Sequence, residues 1–264
     1  MATVWSPSFE IARLDRRCLK LFGIRFRTFI RMIFVKKILR SLFLLRKGGH
    51  RGVIWQSLLL RLFSDTTCLG LRRDLSVSFK AAEAKIALKV RPLDRQDDLS
   101  FIDINEPGIS SAAAFERLHQ INMLKARIRT CYLALGPDGR PCYMQWLIPS
   151  SENDKIQALY GDIFPRLEEC EALLEGAYTA EDYRGQGVMA SAMARIAERG
   201  NDLGARWVIT FVAERHIASL KGCKKAGFVP YVRRRDKYRL FRRNVTFTPL
   251  PEGTPYPFEG PDHG

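Results

Sequence analysis

Tyr183-Arg184-Gly185-Gln186-Gly187-Val188-Met189 is the stretch of sequence that decides the fold. Its two glycines stand directly before an apolar run, a pattern that predicts a tight turn entering a helix. The first backbone N–H groups of a helix have no acceptor within the helix, and the helix dipole adds positive potential at the same end. The sequence therefore predicts an anion-binding turn here. A plain strand-to-helix turn, in which glycine only supplies a positive φ, is the simpler alternative.

A second motif lies further along the chain, on a helix predicted over residues 216–226. It begins with His216 and Ser219-Leu220 and ends in Ala226-Gly227-Phe228. Together, the glycine turn and this helix resemble the acyl-CoA site of the GNAT acyltransferase superfamily. The predicted order of strands and helices over residues 85–241 is similar to the fold of that family.

The match to the family's motifs has three departures. The family's phosphate signature, Gln/Arg-x-x-Gly-x-Gly/Ala, is matched by Arg184 and Gly187, but Met189 stands where the family has glycine or alanine. In the second motif, His216 replaces an asparagine and Cys223 replaces a tyrosine. The resemblance therefore predicts the ligand, acyl-CoA, more directly than it predicts the catalytic residues.

The resemblance implies an α+β fold, with a GNAT-like mixed central sheet flanked by helices. The amphipathic pattern of the N-terminal region adds a predicted helical extension. It implies acetyl-CoA or another acyl-CoA as co-substrate and no metal. The residues expected to contact coenzyme A are Ala177, Tyr178, Thr179, Arg184, Gly185, Gln186, Gly187, Val188, Met189, Ala190, His216 and Ser219.

Three residues are candidates for the chemistry. Glu175, on a predicted strand, is the first candidate for the base that takes a proton from the attacking amine, although a solvated acidic strand is the alternative. Tyr178 is an alternative acid, a pantetheine contact or a core residue. Cys223 is either the acid that replaces the family's tyrosine or a small buried residue. His216 is a base or a surface capping residue.

Composition divides the chain into three parts. Residues 1–80 are predicted to form a basic amphipathic helical extension, residues 81–245 the GNAT-like acyl-CoA-binding catalytic domain, and residues 246–264 a disordered tail rich in proline and glycine.

Six scattered cysteines show no metal-ligand spacing and favour a reduced, cytoplasmic location. The longest uncharged runs near the N-terminus are too short to span a bilayer.

Positive charge concentrates near the N-terminus. The chain has a net charge of +15, and residues 16–64 contain 13 Lys or Arg with no Asp or Glu. Through residues 16–61 this region could dock on an anionic membrane surface, peripherally at the inner face, or on an acidic carrier protein. Packing of its apolar stripes within the protein is the alternative, and nucleic acid is disfavoured because the apolar face is broad and aromatic.

The acceptor is expected to be bound by loops. Residues 149–168 are predicted to form a polar, irregular lid, and residues 228–232 and 237–241 to form two short strands. Between those strands, Arg233-Arg234-Arg235 indicates either an anionic substrate or a solvated charge run.

The sequence thus predicts an N-acyltransferase. It would move an acyl group, expected to be acetyl, from acyl-CoA to an amine of a small molecule or protein by direct attack, which requires no covalent enzyme intermediate, although Cys223 makes one conceivable. Two alternatives stay open: a catalytically decayed module that binds coenzyme A or a membrane, and an acyltransferase whose donor is an acyl carrier protein.

Overall fold

The computed structural model describes residues 59–128 and 130–259 of the chain. The expectations for residues 1–58, which include most of the basic extension and its partners, lie outside the described residues, as do those for residues 260–264.

Eight strands form a single sheet in the described part of the chain. They are β1 Phe63–Asp74, β2 Lys89–Pro92, β3 Cys131–Leu135, β4 Pro141–Pro149, β5 Glu171–Thr179, β6 Trp207–Ala213, β7 Val229–Arg239 and β8 Arg242–Pro249. Their spatial order is β2-β3-β4-β5-β6-β1-β7-β8. Every neighbouring pair is antiparallel except β5 and β6, which are parallel.

Between residues 63 and 259, four α-helices pack on the sheet: α1 Ser111–Lys125, α2 Asn153–Tyr160, α3 Val188–Glu198 and α4 Ile217–Lys225. Residues of α3 and α4 pack on one face of the sheet, and residues of α1 and α2 pack on the other. Because helices cover both faces, β4 is buried along almost its whole length and reads as a continuous apolar run. The predicted α+β fold, a GNAT-like mixed sheet flanked by helices, is confirmed.

The predicted boundary at residue 80 is wrong, because β1 is a central strand between β6 and β7. Its buried stretch, Cys68–Leu71, is short and is followed by charged residues that resemble a linker. One of these, Arg73, is nevertheless buried, and its guanidinium donates to the carbonyl oxygens of Ala194 in α3 and Ala226 after α4. The cation thus caps helix carbonyls beneath the sheet instead of facing water.

The predicted disorder from residue 246 is also wrong for the described residues. Strand β8 continues to Pro249, and the segment after it is fixed by Tyr256. This side chain is buried, and its hydroxyl donates to the carbonyl of Phe228 at 2.7 Å. The tertiary contacts of Tyr256 therefore order this segment, although its proline-rich composition predicted disorder.

Two further expectations need correction. Residues 149–168 contain helix α2, whose Ile156 is buried together with Phe164 and Leu167, so this segment is a packed part of the domain and not an irregular lid. The two short strands expected on either side of the arginine run are one continuous strand, β7. An unbroken strand places consecutive arginines on opposite faces of the sheet.

Candidate functional site

The parallel strands β5 and β6 separate shortly after they begin. They pair only at Glu171–Trp207, Ala172–Val208 and Leu173–Ile209. Beyond Leu173, β5 remains paired with β4 on its other side, and β6 remains paired with β1. The facing edges of the two strands thus form an open fork, defined here by residues 174–179 and 210–213. Backbone groups along an unpaired strand edge are available to a ligand.

A β-bulge shapes the β5 side of the fork. Trp146 lies opposite Glu175 and Met144 lies opposite Tyr178, so two residues of β5 face one residue of β4 at this point. Gly176, inside the bulge, has a φ of 69°. A Cβ atom there would lie 2.7 Å from the Met123 sulfur and 2.8 Å from the Trp146 ring, so only glycine fits. The bulge bends the strand directly beside the fork and leaves Ala177 exposed.

Glu175 stands at the branch point of the fork, two residues after the last pair with β6. Its Oε1 atom lies 3.2 Å from Nε2 of His119 in α1. The same His119 nitrogen lies 3.3 Å from the Tyr160 hydroxyl at the end of α2. The predicted base therefore sits in a polar cluster with a histidine and a tyrosine. Sequence reasoning missed both partners, because nothing in α1 or α2 marks these residues as part of one site.

The glycine turn has free donors at its start. Gly185 and Gly187 both have a positive φ, 77° and 78°, and Gly187 is the N-cap of α3. Within the described residues, no backbone N–H from 185 to 190 donates to a backbone carbonyl outside α3. These groups converge at the positive end of the α3 dipole, which is the arrangement that binds phosphate.

Two side chains of the predicted turn are directed away from it. The guanidinium of Arg184 contacts Glu116 of α1 at 3.1 Å and donates to the Thr179 carbonyl at 3.2 Å. Met189 packs against α4, where a Cβ added to Gly222 would lie 3.1 Å from its sulfur. The methionine that departs from the family signature therefore packs between two helices, away from the backbone donors of the turn.

Helix α4 begins near the β6 side of the fork. His216 is its N-cap residue, is exposed, and makes no side-chain capping bond, while Ser219 is half-buried in the first turn. Since α3 follows β5 and α4 follows β6, both helices begin at the end of the sheet where the fork opens. Two helix N-termini at one opening favour an anionic ligand.

Cys223 is not at the fork, so the prediction of a catalytic thiol is wrong. Its side chain is fully buried between α3 and α4, with its sulfur 3.8 Å from that of Met193. Burial raises the pKa of the thiol to about 12. The helical phase of α4 turns this position toward α3, where the neutral thiol packs as a small apolar group.

The hydroxyl of Tyr178 also lies in the core. Tyr178 is buried, and its hydroxyl oxygen accepts a hydrogen bond from Nε of Arg117 at 3.0 Å. The bulge directs this side chain toward α1, so of the roles predicted for it the structure supports the core residue. The prediction that the backbone of residues 177–179 contacts the acyl donor is independent of this side chain.

Each member of the arginine run in β7 has an acidic partner. Arg233 contacts Glu214 at 2.9 Å, and Arg235 contacts Asp65 at 2.8 Å. Arg234 is buried beside Asp236. The run is therefore neither a solvated patch nor a free anion site.

The buried part of this network positions α2. Asp236 contacts Arg234 at 3.1 Å and Arg243 at 3.2 Å. Arg234 donates to the Ile163 carbonyl and Arg243 to the Tyr160 carbonyl, both at 3.0 Å. Two cations thus bind carbonyls at the C-terminal end of α2, where positive charge is favourable. The network fixes the helix end that carries the Tyr160 hydroxyl to His119.

In the described part of the chain, no helix is long and apolar enough to cross a membrane. Nor do three or more potential metal-ligating side chains cluster within it.

No family model matches the sequence, and no curated protein matches it. Among solved structures, the chain is similar to an acetyltransferase from the GNAT family from Colwellia psychrerythraea, with 11% identity, a TM-score of 0.43, and coverage of 75% of this chain and 61% of that one. A GCN5-related N-acetyltransferase from Sphaerobacter thermophilus has 14% identity and a TM-score of 0.43, over 70% of this chain and 56% of that one.

A tandem GNAT protein from the clavulanic acid biosynthesis pathway has 13% identity and a TM-score of 0.41, over 76% of this chain and 59% of that one. The chain thus covers less than two thirds of the length of each of these proteins. The fold assignment therefore rests on the strand order, the fork and the glycine turn. It does not rest on these distant alignments.

Proposed function

We propose that this chain, which has a GNAT-like mixed sheet with a fork between its parallel strands, is an N-acyltransferase that moves an acyl group from acyl-CoA to an amine. The observation that carries the proposal is the position of Glu175 at the branch point of the fork, with the free N–H groups of the glycine turn at the end of the same strand. A carboxylate and an anion-binding turn at one opening suit a reaction between a phosphorylated donor and a basic acceptor.

The glycine turn fits the phosphates of coenzyme A. Backbone donors from residues 185–190 and the N-terminus of α4 supply positive potential without a fixed side-chain cation. The unpaired edge of β5 fits the amide-containing arm of the donor, because an extended chain can add to a strand edge. At the bulge, N–H groups near Ala177 polarise the thioester carbonyl as an oxyanion site does.

Glu175 acts as the general base. An amine attacks only with a free lone pair, so a proton must leave the acceptor before or during attack. His119, with a hydrogen on Nε2, donates to Oε1 of Glu175 and leaves Oε2 for the acceptor. The bond from the carbonyl carbon to the amine nitrogen forms as the carbon–sulfur bond breaks, and the proton goes to Glu175.

The leaving group needs no dedicated acid. A thiol has an ordinary pKa of about 8.5, so a thiolate leaves readily near neutral pH and takes a proton from water. The burial of Cys223 and the core position of the Tyr178 hydroxyl are therefore compatible with turnover.

Gln120 adds a buried hydrogen-bond acceptor near the bulge. Its amide nitrogen lies 3.4 Å from the Gly176 carbonyl oxygen, and its Oε1 atom has no hydrogen-bond partner.

The test uses the full chain with acetyl-CoA, longer acyl-CoAs and a panel of amines. Release of free thiol measures transfer, and calorimetric titration with coenzyme A measures binding. We expect micromolar or tighter binding and acceptor-dependent thiol release. Binding without release across both panels would support the decayed module, whereas absence of binding would refute the proposal. A parallel arm with acylated carrier protein tests the alternative donor.

A further inference from the structure

Three strands form an arm that projects past the end of the neighbouring strand β6. Strand β6 ends at Ala213, which pairs with Cys68 of β1. Strand β1 begins five residues earlier, at Phe63, and over this stretch it pairs only with β7. At about 3.3 Å per residue, β1, β7 and β8 extend about 17 Å past the end of β6. The fork opens at this same edge of the sheet, because β6 also ends there.

The turn at the end of the arm has an unusual sequence. Arg239 pairs with Arg242, so Leu240 and Phe241 form a two-residue hairpin loop. Their φ angles are 48° and 63°. Hairpin loops with two positive φ angles favour Asn-Gly, and large side chains are rare in this conformation. The backbone thus accepts strain to place two large apolar side chains at the extremity of the arm.

These side chains belong to a larger exposed apolar surface, named here the apolar tip. Leu240 is 76% exposed, Phe241 56% and Phe63 66%. The helical residues 59–62 contribute Leu59, Leu60 and Leu62, which are also exposed. Hydrogen bonds join the two parts, since the N–H of Leu240 donates to the Leu62 carbonyl at 2.8 Å and that of Phe241 to the Arg61 carbonyl at 2.9 Å.

Positive charge concentrates beside the apolar tip. Residues 59–65 and 237–243 together contain five Lys or Arg and one acid, Asp65. Arg243 belongs to the Asp236 network, and Lys237 lies 3.8 Å from Asp65. That carboxylate is already bound by Arg235 through two hydrogen bonds of 2.8 Å. Arg239 lies over the Phe63 ring, with its guanidinium carbon 3.8 Å from the ring centroid. An apolar surface edged by cations is complementary to the headgroup region of an anionic bilayer, which offers both negative charge and an apolar layer beneath it.

We propose that the apolar tip docks the protein on an anionic lipid bilayer, with Leu240 and Phe241 inserted at the headgroup level. The charge of the tip favours this occupant over an apolar protein surface. The acid-free basic stretch that begins at residue 16 precedes the tip in the sequence, and its positive charge would add electrostatic attraction to an anionic bilayer. Because the arm projects from the edge at which the fork opens, docking turns the opening of the proposed active site toward the bilayer.

The decisive variant is Leu240→Asn/Phe241→Gly in the full chain. Asn-Gly is the preferred sequence for this turn, so the variant should fold with an equal or higher melting temperature while losing both apolar side chains. Vesicle co-sedimentation compares phosphatidylcholine alone with phosphatidylcholine mixed with phosphatidylglycerol. We expect wild-type binding to the anionic vesicles only, weakened by salt, and a loss of at least about tenfold in the variant.

Phe115→Ser is the matched control, because Phe115 is an equally large side chain, 50% exposed, on α1. It should bind anionic vesicles as the wild type does. Equal binding by Leu240→Asn/Phe241→Gly and the wild type would overturn the proposal and assign vesicle binding to another part of the chain. Sedimentation that shows a dimer in the wild type and a monomer in the tip variant would overturn it in favour of a second copy.

Discussion

Glu175 Oε1 lies 3.2 Å from His119 Nε2, and this contact joins β5 to α1 where the parallel strands separate. The Glu175 side chain is largely buried, whereas the histidine ring is partly exposed. A carboxylate bound through one oxygen keeps the other in a defined direction, which is what a general base requires. In the proposed mechanism, Glu175 takes the proton and His119 orients the Glu175 carboxylate.

Glu175→Gln should reduce kcat by about 10²–10⁴-fold, since the amide keeps the size of the side chain but cannot accept the amine's proton. The dissociation constant of coenzyme A should stay within about threefold of the wild-type value, because the phosphates bind elsewhere. Single-turnover kinetics and calorimetry measure the two quantities. Glu171→Gln is the control on the same strand: this carboxylate accepts from the Glu168 N–H outside the fork and should have little effect.

In the proposed mechanism His119 is a positioning residue, and two substitutions distinguish this role from proton transfer. His119→Ala should lower kcat about tenfold with little change in KM for acyl-CoA, whereas His119→Gln should recover much of the loss, because its amide N–H can still donate to Glu175. The pH profile of kcat should keep its shape in the glutamine variant. Equal loss in both variants, with a changed profile, would show instead that the imidazole itself carries the proton.

The glycine turn gives a third prediction, on donor binding. Gly187→Ala should weaken coenzyme A binding about tenfold, because alanine is strained at a φ of 78° and relief of that strain would move the N–H groups of the turn. Gly204→Ala is the matched control, since Gly204 has a φ of 73° with no atom near the added Cβ. It should cost similar stability and leave binding unchanged. Arg184→Ala should change affinity by less than about threefold, because Arg184 is bound to the exposed Glu116 and not directed at the turn.

The sequence predicted the parts of the fold whose signals are local. The strand over residues 171–179 and the hairpin around Pro137-Asp138-Gly139 follow from periodicity and turn chemistry within a few residues. Strand β1 was missed because its burial depends on β6 and β7, which lie more than a hundred residues away in the chain. Tyr256 was missed because a tertiary contact orders a segment whose composition predicts disorder.

The same limit applies to the site. Glu175 was predicted as a base from its place on a predicted strand, but His119 and Tyr160 approach it only once two helices pack on one face of the sheet. Cys223 shows the converse error. Motif alignment gives a position along α4, but the phase of the helix decides whether that position faces the fork or the core, and here it faces Met193.

The buried ion network beneath α2 should contribute strongly to stability. Asp236→Ala would leave Arg234 and Arg243 without their shared carboxylate, and we expect a loss of about 3–5 kcal/mol in the free energy of unfolding, measured with urea. Asp65→Ala, which removes the exposed partner of Arg235, should have a much smaller effect because solvent screens that pair. Comparable losses in the two variants would show that burial does not set the strength of these pairs.

Cys223 predicts how stability depends on alkaline pH. Burial raises the pKa of its thiol well above the ordinary value, to about 12 in the folded protein. The unfolded chain therefore loses this proton first, so the stabilisation is complete below about pH 9 and is lost as the pH rises toward about 12, at up to about 1.4 kcal/mol per pH unit. Cys223→Ala should make this decline shallower, while Cys170→Ala, at an exposed thiol, should leave it unchanged. Urea unfolding across this range measures the slopes, and equal slopes in the wild type and Cys223→Ala would show that Cys223 does not contribute to the decline.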